Sequence, residues 1–192
     1  MELNITSLIY LALRLSPLII VCFFLLQSLF NGDIKGLFYL AGLLIAIIFT
    51  ILTSRFGIFK SQEEGNYKEM CKTVEFSNSP LSYLPLSQTS LVFTFAYILT
   101  VIAKYNTWAL NIPTIALFSI LITVDATWNM SQGCHNPLNI LVAIIIAGVI
   151  GFGWGTTLIN TGYDMAIFQG ASDKNLCKMN PTKFRCRLKP PT

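Results

Sequence analysis

The sequence predicts an all-α fold, a polytopic transmembrane helical bundle of about five spans. Three observations lead there. Of the 192 residues, 54% are hydrophobic and only 11% charged, with a mean hydropathy of +0.62, whereas a soluble domain carries about a quarter charged residues. Apolar runs recur at lengths near the ~20 residues that a helix needs to cross the hydrocarbon core. The low hydrophobicity and high charge that mark disorder are missing. Nucleic-acid binding is not expected: the net +4 is modest, and most of it sits in one tail.

The elements follow in order. No cleavable signal peptide is expected, because Met1-Glu2-Leu3-Asn4 is acidic rather than basic and the next apolar run is long enough to stay in the bilayer. The first span is expected over Leu8–Phe30, with Arg14 and Pro17 near its start. The turn Asn31-Gly32-Asp33 leads to a second, Gly36–Thr53. A third, Thr89–Ala103, is short and is expected to begin inside the preceding loop. The fourth, Trp108–Thr127, contains Pro113, and the fifth is Leu138–Ile159. Residues 1–159 thus form the bundle, and 160–192 a polar, basic tail in which Pro181, Pro190 and Pro191 oppose a long helix.

Five spans put the termini on opposite sides. With the N-terminal side called face A, the loops Ser54–Gln88 and Trp128–Pro137 also lie there. Face B takes the turns near Asp33 and Lys104 and the C-terminal tail. Face B carries Lys35, Lys104, Lys174, Lys178, Lys183, Arg185, Arg187 and Lys189; face A carries Arg14, Arg55, Lys60, Lys68 and Lys72. The positive-inside rule then puts the tail on the cytoplasmic (or matrix-like) side.

Asn139, Ala143, Ala147, Gly151 and Gly155 recur every four residues along the fifth span. Such a small-residue stripe lets two helix backbones approach closely in lipid, so this span is expected to be the central helix. The stripe speaks of packing, not of activity.

The unusual polar residues gather on face A. The first loop reads Lys72-Thr-Val-Glu-Phe-Ser-Asn-Ser79-Pro80, then Pro85-Leu86-Ser87-Gln88 at the mouth of the third span. The second reads Asn129-Met-Ser-Gln-Gly-Cys134-His135-Asn-Pro-Leu-Asn139 and holds the single histidine. Asp125 lies near the face A end of the fourth span. Its functional reading is a carboxylate at membrane depth that pairs with Lys72 or holds His135; its structural reading, which we favour here, is a hydrated interfacial group or a helix cap. Glu63, Glu64, Glu69 and Glu75 alternate with lysines as a solvated stretch does.

In order, spacing and topology, residues 68–155 resemble the membrane-bound type 2 phosphatidic acid phosphatase superfamily, which includes lipid phosphate and polyprenyl diphosphate phosphatases. Its motifs are Lys-x6-Arg-Pro, Pro-Ser-Gly-His and Ser-Arg-x5-His-x3-Asp. Lys72 to Pro80 has the spacing of the first, Pro85 to Gln88 stands at the second, and Asn129, His135 and Asn139 have the spacing of the third. The chain departs from the pattern in having five spans instead of six and a short gap between the first two motifs. The resemblance implies that Lys72 matches the phosphate-binding lysine and His135 the nucleophile. Ser79 and Asn129 replace the two arginines, Gln88 replaces the acid histidine and Asn139 the orienting aspartate.

The replacements remove the chemistry. Gln88 has no proton to give near neutral pH, so general acid catalysis, typically ~10²–10⁴-fold, is lost at that position. Asn139 cannot stabilise an imidazolium as a carboxylate does. Losing two guanidiniums removes two bidentate phosphate clamps. No catalytic residue, metal or cofactor is therefore expected, and Lys72 and His135 remain as lipid- or phosphate-contacting groups.

The resemblance also implies that Cys71 and Cys134, each beside a matched motif residue, come within disulfide range on an oxidising face A. Cys22 reads as a small apolar filler. Cys177 and Cys186 lack the further ligands of a zinc site; a second disulfide between them would conflict with a reducing face B. Sequons at Asn4 and Asn129 lie close to the membrane edge and are expected to stay unmodified.

The leading expectation is a non-catalytic integral membrane protein: a structural or accessory subunit of a larger membrane-embedded assembly, of the respiratory-complex or virion-membrane kind, on a degenerate phosphatase-like fold. Its partners are membrane lipids and proteins, met through the transmembrane faces and the tail. In the tail Tyr163, Phe168, Leu176, Met179 and Phe184 are anchors, and the basic run Lys183–Lys189 suits anionic headgroups or an acidic partner; the plain reading of the tail is a frayed end obeying the positive-inside rule. The alternatives are a lipid phosphate or polyprenyl diphosphate phosphatase with rearranged residues, and a phospholipid headgroup-binding module.

Overall fold

The computed structural model describes residues 5–32, 34–55, 82, 84–131, 133–161, 178–180 and 183–185, with side chains described from residue 15 and not in the last two segments. Five helices run in order: α1 Ile5–Asn31, α2 Lys35–Arg55, α3 Leu86–Tyr105, α4 Ile112–Ser131 and α5 Pro137–Asn160. α2 to α5 are each long and apolar enough to cross a membrane, and Leu15–Asn31 of α1 forms a shorter apolar helix among the described residues. The chain is a multi-pass helical membrane protein. The spans lie close to the apolar runs: the third does begin early, at Leu86, and the fourth, expected over Trp108–Thr127, is displaced to Ile112–Ser131.

Local chemistry sets the ends. Gly32 takes a positive φ of 65° in the α1–α2 turn. α3 stops at Asn106, whose left-handed φ of 52° lets its N–H reach the Ala103 carbonyl at 3.3 Å. Thr107 N–H meets the Ile102 carbonyl at 3.1 Å, which completes a Schellman closure. A single 3₁₀ turn at Trp108–Leu110 follows. Asn136 caps α5, its side chain accepting from Leu138 N–H, with Pro137 at the first helical position, where a missing N–H costs nothing.

The bundle is organised around α3. More than half of its span is buried, against a third for α2 and α5 and less for α4. The expectation that the fifth span is central is corrected accordingly. α3 carries Gln88, Thr89, Thr94 and Thr100 buried among apolar neighbours, and in lipid the side chains that need partners turn inward. α5 is its most extensive neighbour. The period-four stripe does face the bundle: Asn139, Ala143, Ala147, Gly151 and Gly155 are all buried. A methyl group built on Gly151 would stand 2.7 Å from the Phe93 carbonyl oxygen, and one on Gly155 3.0 Å from Thr100 Cβ. The two backbones touch because those side chains are absent.

The aromatic core sits between α2, α3 and α1. Tyr39 is fully buried against Phe24, Phe93 and Tyr97, with ring centroids 4.9, 6.0 and 5.8 Å away. Its hydroxyl shares a 2.7 Å hydrogen bond with Thr94 Oγ1. A buried phenol in an apolar bundle needs that partner.

Beyond α5, Lys178–Asn180 (β1) and Lys183–Arg185 (β2) pair antiparallel, with Met179 opposite Phe184. The sequence reading of the tail foresaw no strands, since its prolines and charges show no clean alternation.

Candidate functional site

Helix α3 starts, α4 ends and α5 starts at the same end of the bundle, where α2 also finishes. The chain direction makes this so, and it gathers the polar residues of the two face A loops. The parallel α3–α5 register set by Gly151 and Gly155 brings Asn139, four residues before Ala143 on the buried stripe, beside the start of α3.

Gln88 and Thr89 occupy the first turn of α3, and both are 0% exposed. Gln88 Nε2 donates to the Ile122 carbonyl oxygen on α4 at 3.3 Å. Its neighbour Ser87 donates from Oγ to Asp125 Oδ2, also on α4, at 3.2 Å. Thr89 Oγ1 stands 3.5 Å from Thr50 Oγ1 of α2 and donates to the Pro85 carbonyl at 3.2 Å. The opening turn of α3 is therefore tied to α2 on one side and α4 on the other.

Asp125 is 4% exposed. The favoured sequence reading, a hydrated or capping group, is corrected here. α4 runs on to Ser131, so Asp125 lies more than a turn inside the helix and faces α3. Thr127 Oγ1 bonds back to the Thr123 carbonyl at 2.7 Å, and Ser131 Oγ to Trp128 O at 3.0 Å. These hydroxyls satisfy themselves on their own helix, so the polar end of the apolar window does not end α4.

Asn129, 4% exposed, donates from Nδ2 to the Asp125 carbonyl one turn back at 2.8 Å. Its own carbonyl accepts from Cys134 N–H at 3.0 Å. That bond closes the α4–α5 turn, in which Gly133 takes a φ of 70° that a side chain would strain. Cys134 is 2% exposed and disulfide-bonded, whereas Cys22 is free. Its partner cysteine lies outside the described residues. His135 follows, half-buried, and Asn139 is buried on the first turn of α5.

Of the residues singled out in the sequence, Gln88, Asn129, His135 and Asn139 thus share one end of the bundle. Lys72, Ser79, Cys71, Cys177, Cys186 and Asn4 lie outside the described residues. Two further members, Ser87 and Asp125, join the site through each other. Their signal in the sequence was a carboxylate inside an apolar run, and its partner was not readable without the helix packing.

The arrangement holds helices together. Gln88 and Asn129 each donate an amide N–H to an α4 carbonyl, from side chains 0% and 4% exposed. Among the described residues, no group of three or more His, Cys, Asp or Glu side chains is placed to hold a metal ion. No family model, no curated protein and no solved structure matches the chain.

Proposed function

We propose that the protein is a non-catalytic, multi-pass membrane subunit that serves a structural or accessory role in a larger membrane-embedded assembly, on a fold that descends from a lipid-phosphatase-like ancestor. The observation that carries this reading is the use made of Gln88 and Asn129. At the positions where the resembling family keeps a proton donor and a phosphate clamp, this chain has two buried amides bonded to α4 carbonyls at 3.3 and 2.8 Å. A hydrolase needs those positions open to substrate and able to donate protons or positive charge. Gln88 ties α3 to α4 and Asn129 braces α4 on itself, a use of these positions that favours a rigid bundle over turnover.

Broad apolar faces support an assembly partner or a lipid annulus: Phe23 and Phe30 on α1, Phe49 on α2, Ile120 on α4 and Phe152 on α5 are all exposed. In the proposed orientation the basic tail is cytoplasmic or matrix-like, and face A, with its oxidised Cys134, meets an oxidising compartment.

Native isolation in mild detergent, with identification of what accompanies the chain, tests the reading. Stoichiometric co-isolation of membrane proteins is the expected result. A lone monomer at native expression level would contradict it.

A further inference from the structure

The register of the tail hairpin has a chemical consequence at its open end. β1 and β2 pair with Lys178 opposite Arg185, Met179 opposite Phe184 and Asn180 opposite Lys183. Only Pro181 and Thr182 separate the innermost pair, and no rung can form inside it, so Asn180 and Lys183 themselves exchange the backbone hydrogen bonds. Antiparallel rungs alternate outward from there: Met179–Phe184 is a non-hydrogen-bonded rung and Lys178–Arg185 a hydrogen-bonded one. The next rung is again of the non-hydrogen-bonded kind. Such rungs hold their Cα atoms about 4.5 Å apart, inside the ~4.4–6.8 Å that a disulfide spans. A slip of one residue on either strand would lose that match. A two-stranded ladder this short is also marginal in water by itself.

We propose that the ladder extends by this one rung, that the rung sets Cys177 opposite Cys186, and that the two cysteines are a reversible thiol–disulfide pair that closes the hairpin. Closure is an exchange with a small disulfide such as oxidised glutathione. The thiolate of one cysteine attacks the donor disulfide, and half of the donor leaves as a thiolate. The second cysteine then attacks the mixed disulfide at the tail sulfur, and the other half leaves. The two tail thiols are oxidised, the donor is reduced to two thiols, and the two protons pass to them. On a reducing face B the pair rests as the dithiol and closes when the compartment turns oxidising, the usual use of a disulfide on that side of a membrane. The ring takes in Lys178, Lys183 and Arg185 and no acidic residue, so closure fixes three cations of the tail relative to one another. The pair is separate from the disulfide of Cys134, which precedes α5, whereas the tail follows it; the 24 residues of that helix span roughly 36 Å. The inference stands independently of any phosphatase ancestry.

The test equilibrates the full chain in lipid vesicles, as a mixture of isotopically light and heavy protein, with reduced and oxidised glutathione in varied ratio. Free thiols are then blocked and tryptic peptides mapped by mass spectrometry. Cleavage at Lys174, Lys178, Arg185 and Arg187 puts the two cysteines in separate peptides, Asn175–Lys178 and Cys186–Arg187. The expected result is that these two are recovered joined, light to light and heavy to heavy, at oxidising ratios and as separate blocked thiols at reducing ones. Asn180→Pro, which removes an N–H from the innermost rung, is expected to lower the equilibrium constant for closure about tenfold or more, because the two thiols lose the proximity that the ladder gives them. Thiols that stay free at every ratio, or a bond that stays closed at every ratio, would overturn the proposal. So would light-to-heavy pairs, a bond from either cysteine to Cys134 or Cys71, or an unchanged constant in Asn180→Pro.

Discussion

Trp154 reaches from α5 to α2 and donates its indole N–H to the Phe38 carbonyl oxygen at 3.0 Å. Its ring fills the space over Gly42, where a methyl group would stand 2.6 Å from Nε1. The carbonyl it takes already belongs to a helix, so the bond costs α2 nothing and gives a bulky side chain the partner it needs inside a bundle. The contact makes α2 and α5 neighbours on the side of α3 away from α4.

Gly42→Ala is therefore expected to destabilise the bundle by about 1–3 kcal/mol, the usual cost of overpacking. Trp154→Phe removes the hydrogen bond and costs about 1 kcal/mol beyond its packing loss. Unfolding in detergent, followed by near-ultraviolet circular dichroism, measures both.

Gly151 and Gly153 make a matched pair. A methyl on Gly151 would press on the Phe93 carbonyl at 2.7 Å, while one on Gly153 meets nothing within 4 Å. Gly151→Ala is expected to lower stability by roughly 1–3 kcal/mol. Gly153→Ala should leave it unchanged or raise it by up to about 1 kcal/mol, the helical preference of alanine. The same unfolding assay separates them.

The sequon at Asn129 is closed off by its own hydrogen bond. Asn129 Nδ2, the atom a glycan would modify, lies 2.8 Å from the Asp125 carbonyl in a residue 4% exposed. Expression in a glycosylating cell is expected to give no mass shift at Asn129 on glycosidase treatment. Asn129→Ala, which removes the side-chain bond to the Asp125 carbonyl but keeps the backbone carbonyl that closes the α4–α5 turn, should cost about 1–3 kcal/mol.

Cys134 should resist alkylation until the protein is reduced, while Cys22, free and exposed on α1, reacts without reductant once lipid and detergent no longer cover that face. Peptide mapping without reductant is expected to recover Cys134 joined to the Cys71 peptide. Five titratable thiols in unreduced protein would rule the bond out. Cys134→Ser is expected to lower stability by about 2–4 kcal/mol.

Much of this architecture was readable in the sequence. The span positions follow from hydropathy, and the Asn139–Gly155 stripe follows from side-chain size at a spacing of four, a pattern with few other uses. What the stripe misled about was centrality. α5 is the more apolar helix and α3 the more buried one, because lipid rewards apolar surface while helix–helix contacts absorb Gln88, Thr89, Thr94 and Thr100. Asp125 was misjudged for a related reason: its depth depends on the six residues of α4 beyond it and on Ser87 across the seam, neither of which a window along one helix registers. The end at which His135 and Asn139 lie followed from the order of the spans, since α5 starts where α4 ends. The relation of Lys72 and Ser79 to them is a matter of residues beyond those described.

Phosphate release by the purified, lipid-reconstituted protein tests the central claim most directly, with phosphatidic acid and a polyprenyl diphosphate as substrates. The account predicts release no faster than from protein-free vesicles, with no change on His135→Ala. Release above that background, abolished by His135→Ala, would contradict it.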